Sequence, residues 1–487
     1  MKKPRVSAKA RGTSRRASAS ASGVTSIAIG LKRDEASTCR NGSAARCVVW
    51  MGVHSGDSVK ASYPRFLARL KSNGMMQQSA LVFASTMVLS VGGFVFHAIA
   101  SRRLGVDEYG TLYALISAFT LAALPAGLFA PVIVRFAAEF RALHDDRHIR
   151  GLAISLARGF GAIGIVYIAI AAIFALPISH FLRVPAWTVP LVGVLAAIGL
   201  ASGAGRSLVQ GTQSFGTFAG SAATEGVMKV VGLLAFTAIG WGLIGGILGF
   251  MVGSICGFAF VGIRLLRYYR RVEPAKVHYD WRRIAGASGA SAAIAIAVAF
   301  IGSADVVLVK HFFDPALAGV YAAASLVGKI PLYFVGFIPT VLLPQATDRH
   351  SRGERTRGVL IASLGMFAVF SAGSLIVFKF FGAIVLHALV GNKFDAALGL
   401  LVPYSAAMIL LALTSALASY GIATHRLAFS IPLVLGAMAT LGAIAVFHPT
   451  LAAVAHILVV GNGLTALVVA GFLAVQGLRD DRARLRA

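Results

Sequence analysis

From residue 79 onward the chain is a series of apolar runs of 18–30 residues, separated by short breaks of charge, proline or glycine. A helix needs about 20 apolar residues to cross the hydrocarbon core of a bilayer. Twelve runs meet that length within a few residues: 79–100, 109–134, 151–176, 188–205, 215–239, 242–264, 286–308, 316–345, 358–381, 397–420, 427–447 and 450–475. The break at 240–242 is the thinnest, marked only by Gly240, Trp241 and Gly242. The pattern predicts an all-α polytopic membrane protein of about twelve transmembrane helices.

Composition agrees. Hydrophobic residues make up 57% and charged residues 13% of 487 positions, against about 45–50% and 25% in soluble domains. So little charge cannot clothe a water-facing surface, which disfavours a soluble enzyme, a disordered protein and a disulfide-rich secreted domain. The three cysteines, Cys39, Cys47 and Cys256, imply neither a disulfide framework nor a metal cluster.

The net charge of +27 changes the picture by its placement. Residues 1–78 hold fifteen Lys/Arg and three acids in a Ser/Ala/Gly-rich setting with no sustained period, which reads as a disordered tail. Such a tail could lie against anionic lipid. It lacks the interleaved aromatics of a nucleic-acid binder and the apolar core of a signal peptide. It could equally be an extension without function, with Met51, Met75 or Met76 as the start. Past the tail, Lys and Arg gather in alternate loops: Arg141, Arg147 and Arg150; Arg267 to Arg283; Arg349 to Arg357; and the tail from Arg479. The opposite loops carry only Arg102, Arg103, Arg183, Lys310 and Lys393. This asymmetry places both termini in the cytoplasm.

The basic linker 265–285 divides the spans six and six, into lobes 79–264 and 286–476, followed by a basic tail 477–487. Leu104-Gly-Val-Asp-Glu-Tyr-Gly-Thr-Leu-Tyr113 after span 1 is echoed by Phe313-Asp-Pro-Ala-Leu-Ala-Gly-Val-Tyr321 after span 7. Transporters use two such halves around a central cavity.

Four stretches carry a family likeness: Ser101 to Gly110; Arg206-Ser-Leu-Val-Gln-Gly-Thr-Gln-Ser-Phe215; Asp305 with Phe313 to Tyr321; and the proline-bearing span 8 from Lys329-Ile-Pro331 to Leu343-Pro344. Over about residues 79–476 the chain resembles the oligosaccharide flippase family, in the superfamily that also holds multidrug/toxic-compound extruders and the lipid II flippase. The resemblance implies a flippase of the cytoplasmic (inner) membrane. It would move a polyprenyl-pyrophosphate-linked glycan to the outer leaflet by alternating access, for surface polysaccharide synthesis. Polysaccharide polymerase and export proteins would be partners, and nucleic acid would not. The other transporter this superfamily offers is a cation-coupled multidrug extruder.

Flipping breaks no bond, and the sequence holds no Gly-x4-Gly-Lys-Ser/Thr stretch to bind ATP. No cofactor is expected beyond H⁺ or Na⁺ as a coupling ion. Charges inside spans are costly, about 2.5–3.5 kcal/mol each on insertion scales, which makes them functional candidates. Lys329 lies near mid-bilayer beside the kink expected at Pro331, as a cation for pyrophosphate or as the partner of a carboxylate across the bundle. Glu225 and Lys229, four apart, share a helix face. They could line the cavity, with Lys229 on pyrophosphate and Glu225 carrying a proton, or simply pair. Asp305 could relay protons or bind Na⁺, or pair with Lys310. His97 at similar depth could titrate, or be structural. Arg135 and Arg206, at cytoplasmic span ends, could capture phosphate bidentately or anchor the chain. Lys379 reads as a snorkelling anchor.

Overall fold

The computed structural model describes residues 74–275, 281–352, 354 and 356–486. All fall in one compact unit, 68–487. The basic tail up to residue 73, the linker centre at 276–280 and residue 487 lie outside the described residues.

Among the described residues the chain is helical throughout, without strands. The helices are α1 (Gly74–Arg103), α2 (Val106–Ala122), α3 (Leu124–Ala142), α4 (Asp146–Ile173), α5 (Ala175–Leu182), α6 (Thr188–Gly211), α7 (Phe215–Ala238) and α8 (Gly242–Tyr269) in the first half. The second half holds α9 (Trp281–Phe312), α10 (Pro315–Gly328), α11 (Ile330–Val335), α12 (Phe337–Ser351), α13 (Arg357–Leu389), a 3₁₀ turn (Asn392–Ala397), α14 (Leu398–Ala423), α15 (Ser430–Val446) and α16 (Leu451–Arg486). Ten helical segments among the described residues are long and apolar enough to cross a membrane. The two other expected windows fall on α1 and on the 17-residue α15. This is a multi-pass membrane protein.

The thin break at 240–242 is a real turn. Gly240 (φ +89°) and Gly242 (φ +43°) both take the left-handed backbone that favours glycine. Span 2 runs 37 residues as α2 and α3, with a break at Ala123. Span 8 differs from the single kinked helix its apolar run suggests. It is three helices, broken at Lys329 and Gly336. Pro331 has no N–H to give the Val327 carbonyl, so the helix restarts with the proline in its first turn.

The charge positions also need correction. Arg102, Arg103 and Lys310, placed in loops by their hydropathy, occupy the last turns of α1 and α9. These helices outrun their apolar windows because their ends find partners in the other half. Arg102 donates to the carbonyls of His387 (3.4 Å) and Ala388 (2.5 Å) at the end of α13. Lys393 donates in the reverse direction, to the carbonyls of Arg102 (2.8 Å) and Leu104 (3.1 Å) at the end of α1. Helix C-terminal carbonyls lack intrahelical donors and carry partial negative charge, so cations suit them. Arg183 donates to Phe313 O (3.3 Å), and Lys310, 1% exposed, to Thr111 Oγ1 (2.8 Å).

The two echoed stretches meet at this same end. A Cβ on Gly110 would stand 2.6 Å from Gly319 N, and one on Gly319 would overlap the Val106 carbonyl. Only glycine lets α2 and α10 approach so closely. At the end where α1 begins and α16 finishes, Arg147 bonds Glu273 (3.4 Å) within the first half, and Thr356 bonds Tyr420 (2.8 Å) within the second.

Candidate functional site

The intramembrane charges fall into two clusters, one in each half. The first joins α6, α7 and α8. Glu225 accepts from Lys229 Nζ at 2.6 Å through Oε1 and from the Arg206 guanidinium through Oε2. Arg206 Nε also donates to Ser221 Oγ (3.0 Å), whose hydroxyl donates to the Gly257 carbonyl (2.8 Å). The Lys229 ammonium stands 4.0 Å from the centroid of Phe250, a cation–π placement. The α8 glycines make room: a Cβ at Gly253 would overlap the Lys229 stem, and one at Gly257 would come 2.8 Å from Glu225 Cβ. Both carboxylate oxygens are engaged, so in this conformation the four-residue pair on α7 exists as a salt bridge, with Arg206 as a third member.

The second cluster is built differently. Asp305 on α9 is 0% exposed. Its Oδ2 accepts from the hydroxyls of Tyr321 (2.9 Å) and Tyr404 (2.8 Å). Its Oδ1 is buried with no partner. Lys310, the alternative partner, is turned to Thr111 instead. Tyr404 OH also meets Ser325 Oγ (2.8 Å), and Ser325 Oγ meets Tyr113 OH (3.3 Å) across the boundary between the halves. The Lys329 ammonium lies 5.6 Å from the Tyr113 ring centroid. Lys329 is 6% exposed, and among the described residues no carboxylate lies within 4.0 Å of it. The alternative of a direct carboxylate partner is therefore not realised.

His97 packs its ring on Tyr113 (centroids 5.0 Å) and Tyr109 (6.2 Å), with Nδ1 buried and unpartnered. Its neighbour Phe96 packs on Phe250 (centroids 5.6 Å), the ring beneath Lys229, so ring contacts run from His97 toward both clusters. Arg135 is exposed on α3 and joins neither. Lys379 is exposed on α13. An apolar groove of about 820 Å³ between α15 and α16, lined by residues such as Leu435, Phe447, Val460 and Leu464, includes none of the candidate residues.

Sequence reasoning missed Tyr113, Tyr321, Ser325 and Tyr404. The one signal for them was that Tyr113 and Tyr321 end the two echoed stretches.

Long apolar helices and a close glycine contact between the halves define a class, the multi-pass helical membrane protein. Solved structures make it specific: the chain has the fold of transporters of the MOP superfamily. An inward-facing multidrug resistance MATE family transporter of that superfamily is 13% identical over 84% of this chain and 99% of its own, with a TM-score of 0.66. The lipid II flippase MurJ in an inward closed conformation is 14% identical over 82% of this chain and 87% of its own, with a TM-score of 0.65. The MATE multidrug transporter DinF-BH is 11% identical over 81% of this chain and 95% of its own, with a TM-score of 0.56. No family model and no curated protein matches the chain.

Proposed function

We propose that the protein is a flippase that carries a polyprenyl-pyrophosphate-linked oligosaccharide from the cytoplasmic to the outer leaflet. The observation that carries this reading is Lys329: a buried ammonium at a helix break, with no carboxylate of the described residues within 4.0 Å. A cation left in a membrane without an anion at hand is costly. A pyrophosphate entering between the halves would supply that anion. Lys229 is committed to Glu225, which leaves Lys329 as the buried cation free to take such a cargo. The named activity of MurJ, a lipid II flippase, supports a lipid cargo for this fold.

Alternating access needs one closed end and one open end. With both termini cytoplasmic, as the loop charges imply, the end stitched by Arg102, Lys393, Arg183 and Lys310 faces outward. Cargo would then load from the cytoplasmic side. Asp305, with one carboxylate oxygen unpartnered, is the site for the coupling ion.

The second reading, a cation-coupled multidrug extruder, draws on that same carboxylate and on the MATE neighbours. Deleting the gene and restoring it as Lys329→Ala separates the two. The flippase reading expects pyrophosphate-linked glycan to accumulate in the cytoplasmic leaflet. Normal surface glycan with altered dye efflux would sink it.

A further inference from the structure

Helix α4 carries one more cation within its span, on the outside of the molecule. Arg158 is the thirteenth of its 28 residues and stands seven residues past Gly151, where the apolar run begins. At 1.5 Å per residue that is about 10 Å into the run. The helix packs on α3, α5 and α6 of its own half. Phe160 meets Phe129 of α3 edge-on (centroids 5.9 Å), and a Cβ on Gly164 would stand 2.9 Å from Ala197 Cβ of α6. Arg158 lies on the opposite face. It shares that face with Ile165, two turns on and 70% exposed, and Ile173, 74% exposed. An apolar face so exposed is one that meets lipid. Beside the arginine, a Cβ on Gly159 or Gly161 would meet nothing within 4 Å, so its approach is open. Arg158 is itself exposed and makes no hydrogen bond or ion pair among the described residues. Arg206, Lys229 and Lys310, by contrast, each have an internal partner.

A guanidinium in hydrocarbon is costly until an anion or the interface reaches it. The anion a bilayer holds at that depth is a lipid phosphate. Helical side chains lean toward the helix N-terminus, and α4 starts at the loop of Arg141, Arg147 and Arg150, the side that the loop charges place in the cytoplasm. Arg158 therefore reaches toward the cytoplasmic headgroups. Its planar fork matches two phosphate oxygens at once. Arg147 lies on the same face three turns nearer the cytoplasm, but it is paired with Glu273 (3.4 Å). We propose that Arg158 binds the headgroup phosphate of an anionic phospholipid of the cytoplasmic leaflet, whose acyl chains lie along Ile165 on the outer face of α4. An anionic headgroup fits better than a zwitterionic one, which sets its own ammonium beside the phosphate. The site stands on the lipid-facing side of the first half, away from Lys329 and Asp305, and holds whatever the cargo is.

The test reads which lipid sits against this face. The full chain, with Trp50, Trp187, Trp241 and Trp281 replaced by Phe, carries Ile165→Trp as its one tryptophan. It is placed in vesicles of phosphatidylethanolamine and phosphatidylglycerol, with the acyl chains of one lipid and then of the other brominated, and quenching of the tryptophan is measured. The expected preference for phosphatidylglycerol is about fivefold. Arg158→Gln brings it to about one. Arg158→Lys, which keeps the charge and loses the fork, retains part of it. Val369→Trp in place of Ile165→Trp, on the exposed face of α13 (71% exposed), shows no preference. An equal affinity for the two lipids in the chain that keeps Arg158, or a preference that survives Arg158→Gln, overturns the inference. The first of these needs no variant at Arg158, so a glutamine protein that fails to fold does not shield the proposal. Two further outcomes also overturn it. A preference abolished by inorganic phosphate at constant ionic strength gives the arginine to a soluble anion. Quenching by either lipid that falls as more protein is packed into each vesicle gives the face to a second copy of the chain.

Discussion

Each half of the molecule buries a carboxylate and an ammonium, and treats them in opposite ways. In the first half Glu225 touches Lys229 directly and Arg206 as well, so the cluster is saturated. In the second half three hydroxyl groups separate Asp305 from Lys329, and one carboxylate oxygen has no partner. Direct pairing lets charges survive in a low-dielectric interior but leaves them nothing further to bind. Separation leaves both charges without a direct ionic partner among the described residues. The proposed function puts transport on Asp305 and Lys329, the charges that this conformation leaves unpaired.

Substitutions break this comparison in a graded way. Glu225→Ala leaves two buried cations uncompensated, and such a loss costs about 3–5 kcal/mol. It should lower the thermal midpoint and the yield of folded protein more than any change in the second cluster. Gly319→Ala drives a methyl into the Val106 carbonyl and should cost about 1–3 kcal/mol as overpacking. Cross-linking between α2 and α10 should show the stitched end loosened. Tyr404→Phe removes hydroxyl bonds to Asp305 and Ser325, and each such bond is worth about 1 kcal/mol. It should lower the thermal midpoint only slightly, less than either substitution above.

The smallest effect sharpens the contrast from outside the membrane. Asp145, the residue before α4, accepts from His148 N (3.1 Å) and contacts its ring Nδ1 (2.6 Å). The backbone bond from His148, first, and then the side-chain bond hold its carboxyl below the usual carboxylate range. A carboxylate with a lowered folded value stabilises above the unfolded value and loses that contribution as pH falls through the folded one. Asp145→Asn should therefore remove a small stability increment at neutral pH and none at strongly acid pH. Hydrogen exchange at the His148 amide reads it.

Much of the fold was legible in hydropathy, because a bilayer demands long apolar helices and marks their ends with charge. The turn at 240–242 was legible from two glycines alone. The pairing of Glu225 with Lys229 was legible because four residues make one helical turn. Arg206 as their third member was not, since it arrives from a different span. The hydroxyl chain was hidden for the same reason: its bonds join residues 79, 99 and 212 positions apart, and a tyrosine in an apolar helix looks like any other core residue. Lys310 was misplaced because hydropathy stops where α9 does not. The helix continues into a buried bond with Thr111, and its cost is met across the boundary between the halves.

The account turns on Lys329. In proteoliposomes, the most direct measurement is the rate at which a polyprenyl-pyrophosphate-linked oligosaccharide crosses the bilayer with Lys329→Met against the unsubstituted chain. Methionine keeps the stem and removes the charge. The account predicts a fall of about tenfold or more, equivalent to about 1.4 kcal/mol in the barrier, with folding unchanged. An unchanged rate in a folded Lys329→Met protein would contradict it.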